Sequence, residues 1–442
     1  MSLTFDAAPL DTPTLDHSGE AARVIAAWAA AGEFGDHVAY ERDRRWTFAA
    51  GVRSRIVLTR NEIRIQDGEH ESTETWTGEP ADALRKAVSS LPTGGDWRVY
   101  GWVGFDFCAA RHGLLDHVAA DAVLAHLIVP EFEAHVDADG IDTGTADPTR
   151  AGRLRELARA AADPAGSHEV DVDTDTDDYR GRVATSIGEI AAGRYHKVIM
   201  SREVSIPFAV DIPATYARGR AANTPARSFL LSLGGLSAAG FSPELVVAVD
   251  AEGVVVTEPL AGTRALGESA EADLAARDDL LSDGKEIAEH AMSVRACVDE
   301  IASVSRSGST TVDEFMEVRR RGSVQHLAST VSGRLDAGVT AWDALAVLFP
   351  SITASGIPKA PALEAIYRLE PTSRGLYSGA VMTASSTGEL EATLALRTIF
   401  ADSEHAWLRA GAGIVAASTP DREFTETCEK LRSVAPYVVP AR

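Results

Sequence analysis

Cysteine is nearly absent: Cys108, Cys297 and Cys428 are the only three in 442 residues. Widely spaced and odd in number, they suit neither a disulfide framework nor a zinc site. Positive charge is scarce too, with 42 Lys and Arg against 65 Asp and Glu and a net charge of −23. A field of that sign repels polyanions, which argues against nucleic acid and anionic membranes as partners. Any site for a small anion must then be locally positive. Long apolar runs are missing. The longest, VIAAWAAAG around Trp28, is too short to span a bilayer and reads as an amphipathic helix flanked by Arg23. The opening MSLTFDAAPLDTPTLD is acidic and has no charged-then-apolar leader, so a cytoplasmic protein is expected. No Ser–His–Asp signature, Cys–His pair, P-loop, internal repeat or low-complexity tract stands out.

What is present is 45% hydrophobic residues, enough for a large core. From Trp46 to about Thr145 the chain reads as strands and turns. AHVDADGIDTGT predicts a hairpin with Asp139-Gly140 at its tip, and it lacks the terminal bidentate acid of a calcium loop. Over 148–178 a helix-like piece, TRAGRLRELARAAA, runs into DPAGSHEVDVDTDTDD, which reads as a solvated connection. A helix, YRGRVATSIGEIAAG, and the strands HKVIMSREVSI, RSFLLSL, ELVVAVD and VVVTEPLAG follow. A helix from Lys285 to about Ser305 carries the apolar stripe Ile287, Ala291, Val294, Val298 and Ile301. GLYSGAVMTAS and ELEATLALRTIFA predict a hairpin, HAWLRAGAGIVA a last strand, and TPDREFTETCEKLRSV a last helix with Thr419 as N-cap and Pro420 at its first position. Strands clustered between helices without strict alternation predict an α+β fold.

Two pairs of glutamates lie at helical spacing: Glu286 and Glu289 in GKEIAEH, Glu423 and Glu426 in EFTETCEK. Two readings compete. One is a solvated acidic face, favoured for Glu289 by its position opposite the Ile287–Ile301 stripe. The other is a set of oxygen ligands for Mg²⁺ bridging to an anion, favoured by Met292 and Ala296 beyond Glu289 and by Lys430 one turn beyond Glu426. Gly411 and Gly413 of GAGI either open the backbone to an anion or merely allow close packing. Lys197 shares a strand face with Ile199 and Ser201. Pointing inward, it must shed its charge or gain a partner, and would be a general-base candidate; pointing outward, it is an edge lysine in water. Glu244 follows a Pro turn and either enters a cleft or caps a solvated strand end. Arg397, inside the apolar ATLALRTIF, calls for an anionic partner, with Tyr377 a neighbour across the hairpin. His326 in GSVQHLAST is a site group or a satisfied core histidine.

Taken in order, YHKVIMSREV, GFSPELV, TEPLAGTRALG, KEIAEH, GSVQHLAST, LFPSITASGIPKAPALEAI, RGLYSGAV, LRTIF and LRAGAGIVAASTPDREFTETCEKL resemble the chorismate-utilising enzymes, and within them the salicylate synthases. The resemblance covers residues 175–440, the catalytic region, while 1–165 match more loosely. It implies an anthranilate synthase component I-like α+β sandwich of two large antiparallel sheets flanked by helices, the N-terminal region adding strands to a shared core. It implies Mg²⁺ held by Glu289 and Glu426, with Glu286 and Glu423 in the same shell and Lys430 adding charge. Tyr377, Arg397 and the backbone at Gly411 would take the enolpyruvyl carboxylate of chorismate, and Gly262 and Thr263 would line the ring pocket. Lys197 would deprotonate a water attacking ring C2, and Glu244 would protonate the departing C4 hydroxyl. Isochorismate forms first; Thr353, His326 and Tyr377 resemble the subgroup that goes on to salicylate and pyruvate. Where aminodeoxychorismate synthases carry a lysine this chain has Ala261, and neither a tryptophan-sensing motif nor a glutaminase domain is visible. A monomer without a glutaminase partner is expected. The alternatives are an isochorismate synthase that stops at the first product, and a non-catalytic acidic metal-binding protein, which would leave Lys197, Glu244 and Arg397 without a role.

Overall fold

The computed structural model describes residues 15–92, 97–267, 269–321 and 324–441, so the acidic opening segment lies outside them but for its last two residues. Alternating β-branched and polar residues build two antiparallel sheets, one of ten strands and one of twelve, flanked by helices. Strands from early in the chain enter both. His37–Arg42 pairs with Arg227–Leu233, placing Tyr40 opposite Phe229, and Arg98–Val103 pairs with Ala380–Ser385, placing Gly101 opposite Met382. The sheets face each other across a layer that includes Tyr40, Phe229 and Leu231 from one and Tyr100, Ile128 and Val381 from the other. Helix Leu15–Ala30 packs with helix Ile212–Ala222 outside the ten-stranded sheet, and Trp28 donates its indole N–H to the Leu154 carbonyl at 2.9 Å. Helices Pro80–Ser89, Gly284–Val304 and Ala341–Leu348 pack into the core of the other sheet. Among the described residues no helix is long and apolar enough to cross a membrane.

The hairpin at Asp139-Gly140 forms as predicted, from Phe132–Asp137 and Gly140–Asp142. Other local expectations are corrected. Residues 161–178 are mostly exposed and without helix or strand, as expected of a solvated connection, but they are anchored to the body of the fold. Val170 and Val172 are buried, Asp177 pairs with Arg182 at 2.8 Å, and Asp173 pairs with Arg432. The buried Arg202 anchors the stretch: it donates to the Val172 and Thr174 carbonyls, to Thr427 Oγ1 at 2.7 Å and to Cys428, and lies 4.5 Å from the Phe424 ring centroid. The alternation in EVDVDTD turns valines in and acids out towards arginines, a period of two that net acidity masks. The long helix Gly284–Val304 buries His290, Ser293, Val294, Cys297, Ile301 and Val304, a face rotated from the predicted stripe, since Ile287 and Ala291 are only half-buried. Polar residues with partners, such as His290 against Ser329 Oγ at 2.7 Å, can be core without being apolar. Arg397 sits not in a strand but at a bend between Leu390–Leu394 and Thr398–Ala401, with φ +51°. Thr419 holds the N-cap position without a side-chain cap, while Pro420 opens the helix as expected.

Replacing Arg202 by Met keeps the apolar stem and removes donors from several buried acceptors. The expected cost is about 3 kcal/mol of stability, in the range for hydrogen bonds to a charged group. Protease cleavage within 161–178 should appear below the global melting temperature. Thermal melts and mass-mapped limited proteolysis check this, and an uncut segment in the variant would mean that the strap is held by other contacts.

Candidate active site

Strand Lys197–Ile206 runs beside Ala406–Ile414, with Ile199 opposite Gly413 and Ser201 opposite Gly411. Lys197, Ile199 and Ser201 are all buried, so this face points inward. Lys197 gains a partner rather than water: its Nζ lies 2.9 Å from Glu289 Oε1 and donates to Ser293 Oγ at 3.4 Å. A Cβ at position 413 would come within 2.9 Å of that Glu289 oxygen and 3.2 Å of Lys197 Cε, so the glycine leaves the room in which the two charges meet. Glu289 therefore belongs to the interior and not to a solvated face.

Glu244, placed by the turn before strand Leu245–Val249, is 2% exposed. It accepts from the Leu260 N–H at 3.1 Å, from Ser351 Oγ at 3.4 Å and from the Thr353 hydroxyl. Burial outweighs these donors and pushes its carboxyl from 4.5 up to about 7.

The other acids each face a cation. Arg264 reaches Glu286 at 3.2 Å, and Asp279 and Asp283 on the same side. Lys430 lies 2.9 Å from Glu426 and donates to the Gly411 carbonyl at 2.9 Å. Burial, then the Glu289 charge, raises the Glu286 carboxyl; burial, then Glu426, raises that of Glu423. For Glu426 burial acts upward too, but Lys430 overcomes it and holds the carboxyl low. Glu423 is the exception among them. Its carboxylate is buried with neither oxygen hydrogen-bonded, and the Lys285 ammonium stands 3.7 Å away. Among the described residues no three acid, histidine or cysteine side chains converge tightly enough to hold a metal as they stand. The donor chemistry nevertheless fits one: hard carboxylate oxygens on two helices, including a bare buried pair, are what Mg²⁺ takes.

At another wall Arg397 is a half-buried cation with no carboxylate within ion-pair distance among the described residues. It donates to the Arg321 carbonyl at 3.1 Å and to His326 Nε2, and burial lowers it to about 10. The chain thus does not itself supply the anionic partner that the sequence called for. Burial, then Arg397, holds the His326 imidazole well below its usual range and neutral. With Nε2 accepting from the guanidinium, the proton sits on Nδ1, which faces the Gly262 carbonyl at 3.2 Å and Thr263 Oγ1 at 3.0 Å. Gly262 has φ +73°, and a Cβ there would lie 2.9 Å from Glu286 Oε2. Tyr377 is buried between guanidiniums, with Arg374 5.7 Å and Arg409 5.5 Å from its ring centroid.

Every residue singled out in the sequence except Glu423 lines one cavity. Lys285 and Arg409 also line it and were not anticipated. Both had a signal: Lys285 stands beside Glu286 in GKEIAEH, and Arg409 alternates with Gly411 and Gly413 along one strand face.

Comparison with known proteins bears on this geometry. Residues 37–436 match the family described as chorismate binding enzyme. The chain is 48% identical over 433 residues, 98% of itself and 95% of the relative, to a salicylate synthase of Mycolicibacterium paratuberculosis (strain ATCC BAA-968 / K-10). It is 38% identical over 258 residues to anthranilate synthase component 1 of Pseudomonas putida, covering 58% of this chain and 52% of that one. Its fold superposes on the crystal structure of anthranilate synthase component I from Streptococcus pneumoniae TIGR4 with a TM-score of 0.73 and 27% identity, over 89% of this chain and 92% of that one. The chain belongs to the chorismate binding enzyme family.

Proposed function

We infer that this chain converts chorismate to isochorismate and then to salicylate and pyruvate, with Mg²⁺. One observation carries the acid–base half of this reading: the cavity holds a carboxyl, Glu244, lifted to about 7, together with a buried lysine, Lys197. The near-full-length similarity to a salicylate synthase supports the choice of product.

Chorismate is a dianion, and the cavity offers a cation for it in Arg397. That guanidinium, with the Tyr377 hydroxyl and the backbone at Gly411, would take the enolpyruvyl carboxylate; Gly262 and Thr263 would border the ring. Mg²⁺, when bound by Glu289 and Glu426 with Glu286 and Glu423 alongside, supplies positive charge for the ring carboxylate. Lys430 adds to it. Lys197 stands here as an ammonium held by Glu289 and Ser293; once Glu289 is engaged by the cation it would release that proton to solvent and, as the free amine, accept one from the water whose oxygen adds to C2. Glu244 would give its proton to the C4 hydroxyl, which leaves as water while the ring double bonds shift. Thr353, which donates to Glu244, fixes the direction of that proton. In the second step a hydrogen passes from C2 to the enolpyruvyl methylene as the C3–O bond breaks, giving salicylate and pyruvate. That step needs a held conformation more than a strong base, and His326, by orienting Arg397, would help to hold it. The setting we infer is a cytoplasmic enzyme acting as a single chain, its salicylate destined for a siderophore-type product.

Incubation with chorismate and Mg²⁺ should give salicylate and equimolar pyruvate, and EDTA should abolish both. Isochorismate alone would move the chain to the isochorismate synthases, and unchanged chorismate would leave a metal-binding protein. In Lys197→Ala, turnover should fall by about 10²–10⁴-fold, the usual share of a general base, while calorimetric Mg²⁺ binding persists. Full activity in that variant would remove Lys197 from the chemistry.

Glu244 also has a measurable signature without substrate. Its folded-state carboxyl titrates above the unfolded one. Between pH 4.5 and about 7 the unfolded chain ionises it while the folded chain keeps the proton, so stability falls as pH rises through that window. Relative to wild type, Glu244→Gln should therefore gain about 3 kcal/mol on going from pH 4.5 to pH 8. Denaturant melts at the two pH values give that difference directly, and a pH-independent offset would mean that the carboxyl is not raised.

A further inference from the structure

Behind Tyr377 lies a group of charges that the chemistry above does not use. Glu370, at the end of helix Lys359–Leu369, has a side chain 2% exposed, and it is paired with Arg374 at 2.6 Å and Arg409 at 2.8 Å, each 1% exposed. The same carboxylate accepts from the Ser201 backbone N–H at 2.7 Å and from Ser201 Oγ at 2.8 Å. Arg374 spends its remaining donors on the Ile199 and Ala354 carbonyls, both at 2.8 Å. Arg409 spends its own on Ser201 Oγ at 2.9 Å, the Ser373 carbonyl at 2.7 Å, and Thr372, and a second carboxylate, Glu203, stands 3.6 Å from it.

These bonds converge on the segments that carry the site. Ile199 is two residues along the strand from Lys197, and Ala354 follows the Thr353 that donates to Glu244. Arg409 shares a strand face with Gly411, and both guanidiniums flank the Tyr377 ring. One buried carboxylate thus links four separate pieces of chain: the Lys197 strand, the Thr353 turn, the Gly411 strand and the Tyr377 segment. Burial acts to raise the Glu370 carboxyl, but Arg374 and then Arg409 overcome it and hold it at about 2, so the hub stays charged at any working pH. Although Arg409 reaches the cavity lining, its donors point into the hub.

We propose that Glu370 is a positioning residue: through Arg374, Arg409 and Ser201 it sets the placement of Lys197, Glu244 and Tyr377, and it keeps Arg409 from competing with Arg397 for the substrate's carboxylate. The proposal rests on the chorismate reading. Loss of Glu370 should harm turnover and not binding, because Arg397 and the acid cluster remain, while Arg409 keeps only the more distant Glu203 and can swing towards the cavity to hold an anion in the wrong place.

The experiment compares wild type, Glu370→Gln and Ser201→Ala in steady-state chorismate turnover with Mg²⁺, on the full chain, with circular dichroism as the check on folding. For Glu370→Gln, kcat should fall at least 100-fold while KM stays within threefold of wild type or drops, and Glu370→Asp should recover part of kcat. Ser201→Ala keeps every charge and removes one hydroxyl; its kcat should fall three- to tenfold at unchanged KM. If Glu370→Gln does not fold, Ser201→Ala decides alone, and wild-type kcat in it overturns the proposal. A folded Glu370→Gln with wild-type kcat, or with raised KM at wild-type kcat, also overturns it. A wild-type chain inert towards chorismate overturns the functional reading and this proposal together, whereas active wild type with equally active variants overturns the proposal alone.

Discussion

The ion pair between Lys197 and Glu289, 2.9 Å apart and largely out of water, ties the ten-stranded sheet to the long helix that packs on the other one. Neither charge is tolerable there alone, because burying an unpaired ion costs several kcal/mol. Each therefore dictates where the other's backbone must run. The strand must bring Lys197 inward, the helix must turn Glu289 to meet it, and position 413 must have no side chain at all. Hydrophobic contacts supply most of the stability of such a fold, but this pair fixes the register in which the halves of the cavity face each other.

The same principle orders the remaining charges. Glu286, Glu289, Glu423 and Glu426 on two helices are offset by Arg264, Lys197, Lys285 and Lys430, so a strongly acidic chain builds an interior that is close to neutral on that side. Arg397 is left uncompensated by any carboxylate among the described residues, and His326 is kept neutral beside it as an acceptor. The cavity is consequently polarised: acid–base pairs at one part and, at another, a guanidinium bonded only to neutral acceptors. Under the proposed function, a dianionic ligand would bridge the two.

Much of this was legible in the sequence, and for physical reasons. The glutamate pairs stood at helical spacing and Lys197 alternated with buried neighbours, whereas the carboxylate partner expected for Arg397 is not supplied by the described residues. What was not legible depended on backbone conformation or on contacts far apart in the chain. Nothing local shows that Arg397 adopts a left-handed bend rather than an extended strand. The helical wheel for Gly284–Val304 misled because His290 and Ser293 count as polar while being fully buried through partners on other elements. The anchoring of the acidic stretch before Tyr179 was not visible because Arg202 and Arg432, which hold it, come from elements that only the fold brings beside it.

The strand pairings carry a consequence for how the molecule is made. Val103 pairs with Ala380, and Tyr40 with Phe229, so strands emerging early from a ribosome wait for partners encoded far downstream. At roughly 5–20 residues per second that wait lasts on the order of tens of seconds for the Arg98–Val103 strand. During it, an apolar strand rich in Val, Tyr and Trp has an unpaired edge, the type of surface that aggregates. That edge of the Arg98–Val103 strand can therefore be completed only after Ala380–Ser385 has been made.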